Sequence, residues 1–333
     1  MTSLRWLTLD ALMYNAERQL YPCHGVVIPL HRIEILNCEL CADIGCDLLL
    51  ISGGTLEKFI AQKTHWVSTN RHRAAGNDIP SSHFSNLSQL TIDDGTGSSR
   101  ILKLLMGYTL SSLRYLSLRD TQFVNETFLL KLLQKCPCLA HLNFEGIRCS
   151  DELLRFIGNT FKLKHLALEG SITEDGLLSL GDELISNLES VCLASCPFQE
   201  EAKIIQFIQN TRNLHTLKIN FGRTEKPSRA FFQAVLNHCS KTLRIFLCGG
   251  KGDPDLISNG SIIEELIVES KHLSIFVVDF CPHGLDRVQL EKKCRSRSDR
   301  SAVPKIILSR MSASTRTPPG NQNSGLMSTC LLL

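Results

Sequence analysis

The sequence predicts an α/β solenoid built from leucine-rich repeats. Two observations predict it: the pattern L-x-x-L-x-L recurs along the chain, and the step between copies is nearly constant. The clearest copies, 24 to 26 residues apart, begin at Leu113, Leu139, Leu163, Leu188 and Leu214. The same frame extends to copies at Leu87, Leu56, Leu30 and Leu4, and weaker copies begin at Leu243 and Leu273. We therefore expect eleven rungs.

Each rung should contain one short strand. In x-L-x-L the two leucines point to one side of the strand, because side chains alternate between its faces. These leucines should face the core. The third, fifth and seventh positions should then line the concave face of a curved right-handed superhelix, with helices on the convex face.

Return helices are predicted where apolar residues recur at spacings of three and four. The predicted helical segments are 126–134, 151–157, 175–184 and 200–208. We expect one elongated solenoid over residues 1–285, with an extra polar loop near residues 65–82. Residues 286–333 are rich in Ser, Lys and Arg, and a basic disordered tail is expected there.

Composition favours a cytoplasmic protein, with the nucleus as an alternative. The 14 cysteines lack the tight spacing of a secreted disulfide scaffold, and the first residues lack the apolar stretch of a signal peptide. No apolar run is long enough to cross a bilayer. The small net charge of +3 gives no support to nucleic-acid binding.

No catalytic residue, cofactor site or metal site is predicted, so the chain is not expected to be an enzyme. Cys38 and Cys41 form a C-x-x-C pair, but no second pair follows at zinc-like spacing, and buried structural thiols are the favoured interpretation. His141 and His165 should be neighbours above Glu145 and Glu169. Such a group could bind a metal ion, but a solvated polar ladder is the commoner outcome.

The concave face is the predicted site for a protein partner. Tyr115 and Arg119 are the first candidates within it, because Tyr and Arg are enriched at binding hot spots. The predicted partner-binding residues are Tyr115, Arg119, His141, Asn143, Glu145, His165, Glu169 and Lys218.

Farther along the chain, the outward positions become apolar. They are occupied by Ile245, Leu247, Ile275 and Val277, which would form an exposed strip that needs a cover. Two alternatives for this cover remain: an apolar segment of the target, or the chain's own KIILS segment from Lys305. The second would form an end cap and is slightly favoured.

Two rungs suggest a family. LHRIEILNCELCADIGCDLLL from Leu30 places Cys38 eight residues after its first leucine, and LESVCLASC places Cys196 at the matching offset. These rungs resemble the cysteine-containing, ribonuclease-inhibitor-like repeats of F-box and leucine-rich-repeat proteins. The resemblance implies substrate recognition for an SCF-type cullin-RING ubiquitin ligase. The alternative is a ligase-independent scaffold or inhibitor.

The F-box itself is not found, since the first rung begins at Leu4. An uncapped solenoid end would expose core leucines. We therefore expect either a truncated product or isoform, or a partner that covers this end. Binding to the cullin-RING adaptor is expected only if an F-box is supplied by another chain or is cryptic.

The final residues, Cys330-Leu331-Leu332-Leu333, fit the C-a-a-X pattern with leucine last, which geranylgeranyl transfer recognises. A prenyl chain needs a second signal for stable anchoring, and the basic residues between Lys292 and Arg300 could supply one on anionic lipid. The alternative is a coincidental leucine-rich ending. Peripheral membrane contact is expected only if Cys330 is prenylated.

Overall fold

The computed structural model describes residues 4–12, 28–67, 81–93, 98–119, 124–170, 172–194, 196, 198–221, 227–250, 254, 256, 260–280, 282, 285–296 and 303–308. The chain divides into an N-terminal unit, Met1–Ser190, and a C-terminal unit, Val191–Leu333. Each unit repeats a short strand followed by a helix. This alternation is the leucine-rich-repeat architecture that the sequence predicts.

The N-terminal unit contains nine described strands and six described helices. Its strands are β1 (Trp6–Asp10), β2 (Arg32–Leu36), β3 (Glu39–Cys41), β4 (Lys58–Gln62), β5 (His65–Val67), β6 (Gln89–Asp93), β7 (Tyr115–Arg119), β8 (His141–Glu145) and β9 (His165–Glu169). Its helices are α1 (Ala42–Ser52), α2 (Ser99–Met106), α3 (Glu126–Leu133), α4 (Asp151–Thr160), α5 (Glu174–Ser179) and α6 (Asp182–Asn187).

The C-terminal unit follows the same plan. Its strands are β10 (Ser190–Ala194), which starts at the unit boundary, β11 (Thr216–Asn220), β12 (Ile245–Gly249), β13 (Ile275–Val278) and β14 (Lys305–Leu308). Its helices include α7 (Glu201–Asn210), α8 (Arg229–Cys239), α9 (Ser261–Glu269) and α10 (Arg287–Arg295).

A parallel sheet forms one layer of the N-terminal unit, in the order β1-β2-β4-β6-β7-β8-β9. In the C-terminal unit the order is β10-β11-β12-β13-β14. A strand begins two residues after the first leucine of each predicted rung, as β7 does after Leu113. A strand therefore lies at the expected place in each of the eleven expected rungs.

The core lies on the leucine side of the sheet, as the alternation predicts. In β7, Leu116 and Leu118 are fully buried, whereas Tyr115 and Arg119 at the third and seventh positions remain partly exposed. Full burial of one such leucine contributes roughly 1.5–3 kcal/mol relative to exposure. The repeat therefore fixes which side chains remain available for contact with other molecules.

The position eight residues after the first leucine of a rung has a structural role, which cysteine fills in one rung and threonine in another. The Cys38 thiol donates to the Leu36 carbonyl at 3.1 Å and to the Leu9 carbonyl of the preceding rung at 3.5 Å. In the next rung the Thr64 hydroxyl lies within 3.1 Å of two equivalent carbonyls, one local and one in the preceding rung. Each of these side chains therefore hydrogen-bonds one backbone carbonyl in its own rung and one in the preceding rung. These bonds link the two rungs near their strand ends.

Several helix starts are capped as their sequences suggest. Asn125, Ser150 and Thr173 each accept a hydrogen bond from the backbone N–H three residues ahead. The prediction of one helix over 175–184 was wrong, because α5 ends before a break at Gly181, which has a φ of 77°. The Leu180 backbone lies close to Gly158 of α4. A Cβ added at Gly158 would be only 2.1 Å from the Leu180 carbonyl oxygen.

The predicted polar loop near 65–82 is corrected at its start. Residues 65–67 form β5, which pairs in parallel with β3 in a small second sheet. Trp66 supplies the physical reason, because its indole is buried beside Gly45 of α1. Residues 68–80 of this prediction lie outside the described residues.

The predicted disordered tail from residue 286 is also corrected within the described part. Arg287–Arg295 forms α10, in which Leu290 and Cys294 are buried, and the Asp286 side chain caps its start. Lys305–Leu308 forms β14, which pairs in parallel with β13. KIILS therefore extends the sheet as a further strand and is not a cover laid over the outward face.

The predicted apolar strip is less exposed than expected. Leu247 and Val277 are buried, and Ile245 and Ile275 are only partly exposed. The four residues pair across β12 and β13, so each covers part of its neighbour. This packing removes the need for a target segment to cover a fully exposed strip.

The first strand exposes apolar surface. Trp6 of β1 is 70% exposed and Leu4 is 57% exposed. Leu7 and Leu9 are half-buried, in contrast to Ile33 and Ile35 of β2, which are fully buried.

Candidate functional site

The candidate site is the outward surface of three adjacent strands in the N-terminal unit. We call it the open sheet face. It comprises the third, fifth and seventh positions of the rungs that contain β7, β8 and β9, which are Tyr115, Ser117, Arg119, His141, Asn143, Glu145, His165, Ala167 and Glu169. Strand register places equivalent positions side by side, so these residues form rows across the sheet.

The third positions form a row of rings: Tyr115, His141 and His165. The imidazoles of His141 and His165 are stacked, with centroids 4.1 Å apart and an interplanar angle of 8°. The Tyr115 ring lies 5.7 Å from that of His141. His141 and His165 are therefore neighbours, as the sequence predicts. Together with Tyr115 they form a continuous amphipathic surface, which we call the ring row.

The stack favours the neutral form of the His141 imidazole. Burial lowers the pKa of His141, and the nearby His165 lowers it further because two adjacent positive charges repel. Glu189 opposes this shift, whereas Lys164 adds to it; these two residues form an ion pair of 2.7 Å. Near neutral pH the His141 ring is therefore expected to be uncharged.

A second row runs along the seventh positions. Arg119 of β7 lies between Asp93 of β6 and Glu145 of β8, with its Nε 3.6 Å from Asp93 Oδ1 and 2.9 Å from Glu145 Oε2. Glu169 on β9 is close enough to raise the pKa of Glu145. We call Asp93, Arg119, Glu145 and Glu169 the anionic row, because three carboxylates face one guanidinium.

Glu145 is the most enclosed member of the anionic row, at 4% exposure. Burial raises its pKa, whereas Arg119 and the hydrogen bond from Asn143 favour the ionised form. The Asn143 amide nitrogen lies 3.3 Å from Glu145 Oε1 and 3.2 Å from the Ser117 hydroxyl. Because a carboxylate only accepts, the NH2 side of this amide faces Glu145.

Small or buried residues separate the two rows. Ser117, Asn143 and Ala167 pair across the fifth positions, and Thr91 pairs with Ser117 from β6. Thr91 and Ser117 are buried, so nothing bulky rises between the rings and the carboxylates on these strands. The face therefore has a ring side and an anionic side, with Thr91, Ser117 and Ala167 among the side chains between them.

Seven of the eight predicted contact residues come together on this face. Lys218 is the eighth and lies on β11 of the C-terminal unit. Sequence reasoning missed Asp93, although it occupies the seventh position of the rung that begins at Leu87 and could have been found by extending the frame. Arg119 also differs from expectation, because its charge is engaged by two carboxylates of the same unit.

Among the described residues, no group of three or more His, Cys, Asp and Glu side chains is placed to hold a metal ion. Burial raises the pKa of Cys46, Cys136 and Cys149 to about 12, which opposes thiolate formation. Within the described residues, no helix is both long and apolar enough to span a membrane.

Comparison with known proteins adds no family. No protein-family profile and no curated protein sequence matches the chain. Among solved structures, it is similar to an internalin from Listeria monocytogenes str. 4b F2365, with 12% sequence identity and a TM-score of 0.43 over 84% of this chain and 80% of that one. A likeness this distant carries no argument about function. The chain's own alternating strands and helices show that it has the leucine-rich-repeat fold.

Proposed function

We propose that this chain is a non-catalytic protein-interaction module whose open sheet face binds a protein target. The observation that supports it is the ring row, in which Tyr115, His141 and His165 form one continuous, partly exposed surface. Aromatic side chains provide large contact area at low entropic cost and dominate interface energetics. The adjacent anionic row would add charge complementarity.

Replacement of Tyr115 by Ala tests this proposal. We expect it to weaken the affinity for specific partners about thirtyfold, and so to reduce their recovery from cells, since a hot-spot truncation commonly costs at least about 2 kcal/mol. Lys131→Ala is the control, because Lys131 is exposed on α3 away from the sheet. Equal partner recovery by both variants, with both folded, would exclude the open sheet face as the binding surface.

The more specific proposal is substrate recognition for an SCF-type cullin-RING ubiquitin ligase. Its support is the resemblance of the rungs with Cys38 and Cys196 to those of F-box and leucine-rich-repeat proteins. Both thiols are buried and donate to strand-end carbonyls, at 3.1 Å for Leu36 and 3.4 Å for Ala194. The ligase adaptor would bind only through an F-box that is cryptic or supplied by another chain.

Mass spectrometry of proteins that co-purify with the N-terminally tagged chain distinguishes this proposal from its alternative. Recovery of the cullin and its adaptor would support the ligase connection. Their absence, with other partners present, would favour a ligase-independent scaffold or inhibitor. An N-terminal tag also leaves Cys330 available for prenylation.

Prenylation of Cys330 remains a proposal, because this residue lies outside the described residues. It would add peripheral membrane contact to a protein otherwise expected in the cytoplasm or nucleus. Intact-mass measurement of the cellular protein tests it directly. An unmodified C-terminus, in cells that prenylate a control protein, would exclude it.

A further inference from the structure

We propose that the chain associates with a second copy of itself by antiparallel pairing of the two β1 strands, with Thr8 of each copy opposite Thr8 of the other. This inference is independent of the proposed function, because it concerns the edge of β1 and not the open sheet face. It depends on the partly covered leucines of β1, on the direction of its backbone groups and on the symmetry of its sequence.

β1 is an edge strand in the part of the chain that the structure describes. It pairs with β2 on one side, and no described strand pairs with its other side, which we call the open edge. Leu7 and Leu9 of β1 are half-buried, whereas Ile33 and Ile35 of β2, which has a strand on each side, are fully buried. A strand that paired with the open edge would add cover to Leu7 and Leu9.

The direction of the backbone groups determines which residues of β1 can pair across the open edge. The Arg5 carbonyl accepts from the first residue of β2 at 3.2 Å, and the Ala11 N–H donates to the last residue of β2 at 3.1 Å. The odd-numbered residues therefore direct their backbone groups towards β2. Because these groups alternate in direction along a strand, Trp6, Thr8 and Asp10 direct theirs towards the open edge.

The sequence of β1 is self-complementary about Thr8. When two β1 strands run antiparallel with Thr8 opposite Thr8, Trp6 of one copy lies opposite Asp10 of the other, and Leu7 lies opposite Leu9. The Thr8 pair and both Trp6–Asp10 pairs can each exchange two backbone hydrogen bonds, because these residues face the open edge. Each Leu7–Leu9 pair then forms a cross-strand contact on the core side. Every contact is repeated by the two-fold symmetry, as in an isologous dimer.

The charges near the two ends of β1 favour the antiparallel direction. Arg5 is exposed and precedes the strand, and Asp10 is exposed and ends it. Antiparallel pairing brings the cationic end of each copy beside the anionic end of the other, whereas parallel pairing in register would bring like charges together. Leu4 and Leu12 are 57% and 44% exposed and lie four residues before and after Thr8. Exposed apolar surface therefore also meets at both ends of the paired strands.

Sedimentation equilibrium of the full chain tests the inference. One pair of strands is a small interface, so we expect a dissociation constant of about 10–100 µM. Well below this range the mass should be that of one chain, 37.2 kDa, and above it the mass should approach twice that value. Acrylamide quenching of fluorescence should decrease as the dimer forms, because Trp6 is 70% exposed and Trp66, the other tryptophan, is buried.

Two substitutions of Thr8 provide matched variants. Both remove the hydrogen bond from the Thr8 hydroxyl to Glu34 Oε2, at 3.3 Å. Thr8→Pro also removes the N–H that faces the open edge, without removing a donor to β2, and should weaken dimerisation at least about tenfold. Thr8→Val keeps that N–H and should dimerise as the wild type does. Thermal transitions establish whether both variants are folded.

A pair of charge variants at Trp6 tests the register and does not depend on the Thr8 variants. Trp6→Lys would place a cation opposite Asp10 of the second copy, whereas Trp6→Asp would place a second carboxylate there. Asp10 also accepts a hydrogen bond from Asn37 at 3.1 Å, in all of these variants. Because each contact occurs twice, we expect Trp6→Lys to dimerise about tenfold more tightly than Trp6→Asp. The difference should decrease as the salt concentration rises.

The outcomes that would overturn the inference are distinct from those that test target binding. A single-chain mass above about 100 µM, or equal dimerisation of folded Thr8→Pro and Thr8→Val, would exclude pairing through the open edge. Equal dimerisation of Trp6→Lys and Trp6→Asp would exclude the register centred on Thr8. Masses that rise beyond two chains would indicate open-ended, head-to-tail association and would exclude the two-fold dimer. Tyr115→Ala leaves β1 unaltered, so its effect on partner recovery tests the proposed function separately.

Discussion

Arg119 provides the sharpest test of how the face is built. From sequence alone, replacing Tyr115 and Arg119 by Ala should weaken target binding and leave the thermal transition nearly unchanged, since surface substitutions rarely unfold a domain. The structure reverses the second expectation. Because Arg119 lies between Asp93 and Glu145, its removal leaves a nearly buried carboxylate without its cation. We therefore predict that Arg119→Met, which retains much of the side-chain bulk, lowers the stability of the protein.

The loss in the free energy of unfolding that we expect for Arg119→Met lies between two limits. Exposed ion pairs contribute about 0–1 kcal/mol, whereas removal of one partner of a buried pair costs about 3–5 kcal/mol. The Arg119 side chain is 33% exposed and that of Glu145 is 6% exposed, so an intermediate cost applies. We expect about 2 kcal/mol, which corresponds to a decrease in Tm of about 4–8 °C for a cooperative unit of this size.

The pH dependence supplies an independent check. Glu145 has a folded-state pKa above its ordinary value of 4.5, because burial disfavours the charged form. Loss of the nearby cation should raise that pKa further. The folded variant would then bind the proton more strongly than the unfolded chain does, so acidification relieves the penalty. The stability deficit of Arg119→Met should be largest near neutral pH and should shrink as the pH falls through the raised pKa towards 4.5.

Urea unfolding of the wild type, Arg119→Met, Glu145→Gln and the double variant measures both effects. We expect the double variant to recover most of the lost stability, because the neutral amide that replaces the Glu145 carboxylate would need no cation. A deficit below about 0.5 kcal/mol near neutral pH, or one independent of pH and of Glu145→Gln, would refute the assigned role of Arg119.

Three further predictions concern the fold and the ring row. Gly158→Ala should destabilise the protein by about 2 kcal/mol in urea unfolding, since its Cβ would overlap the Leu180 backbone, whereas Gly54→Ala, which meets no atom within 4 Å, should be neutral or slightly stabilising. Thr64→Val should cost about 1–3 kcal/mol in the same assay, and Thr64→Cys clearly less, since a thiol can replace the hydroxyl as donor. Tm should fall as the pH drops below 6.5, because the lowered pKa of His141 means that the unfolded chain binds more protons, and His165→Asn should reduce this dependence.

The sequence predicted the scaffold well because the regular spacing of the leucines determines where each strand lies. Alternating leucines fix which side of each strand is buried, and parallel pairing then aligns equivalent positions in neighbouring rungs. The stacking of His141 on His165 follows from this register. The repeat frame alone was enough to predict that His141 and His165 are neighbours.

Features that depend on contacts between rungs were not predictable in the same way. The helix breaks at Gly181, which has a φ of 77°, and the adjacent Leu180 backbone closely approaches Gly158; no local pattern encodes this contact between rungs. The pairing of Arg119 with two carboxylates required the seventh positions of neighbouring rungs to be considered together. The short β14 was missed because its VPKIIL segment lacks the leucine pattern, although its register continues that of β13.

The register between β4 and β6 has a consequence for how this chain can tolerate insertions and deletions. Their rungs are separated by a longer step than most, yet Lys58 still pairs with Gln89 and Ile60 with Thr91. Added residues between strands are therefore accommodated without shifting the rows. One residue inserted within a strand would instead exchange its buried and outward side chains, because the period is two. Length variation between strands can thus accumulate while the outward-facing rows stay aligned.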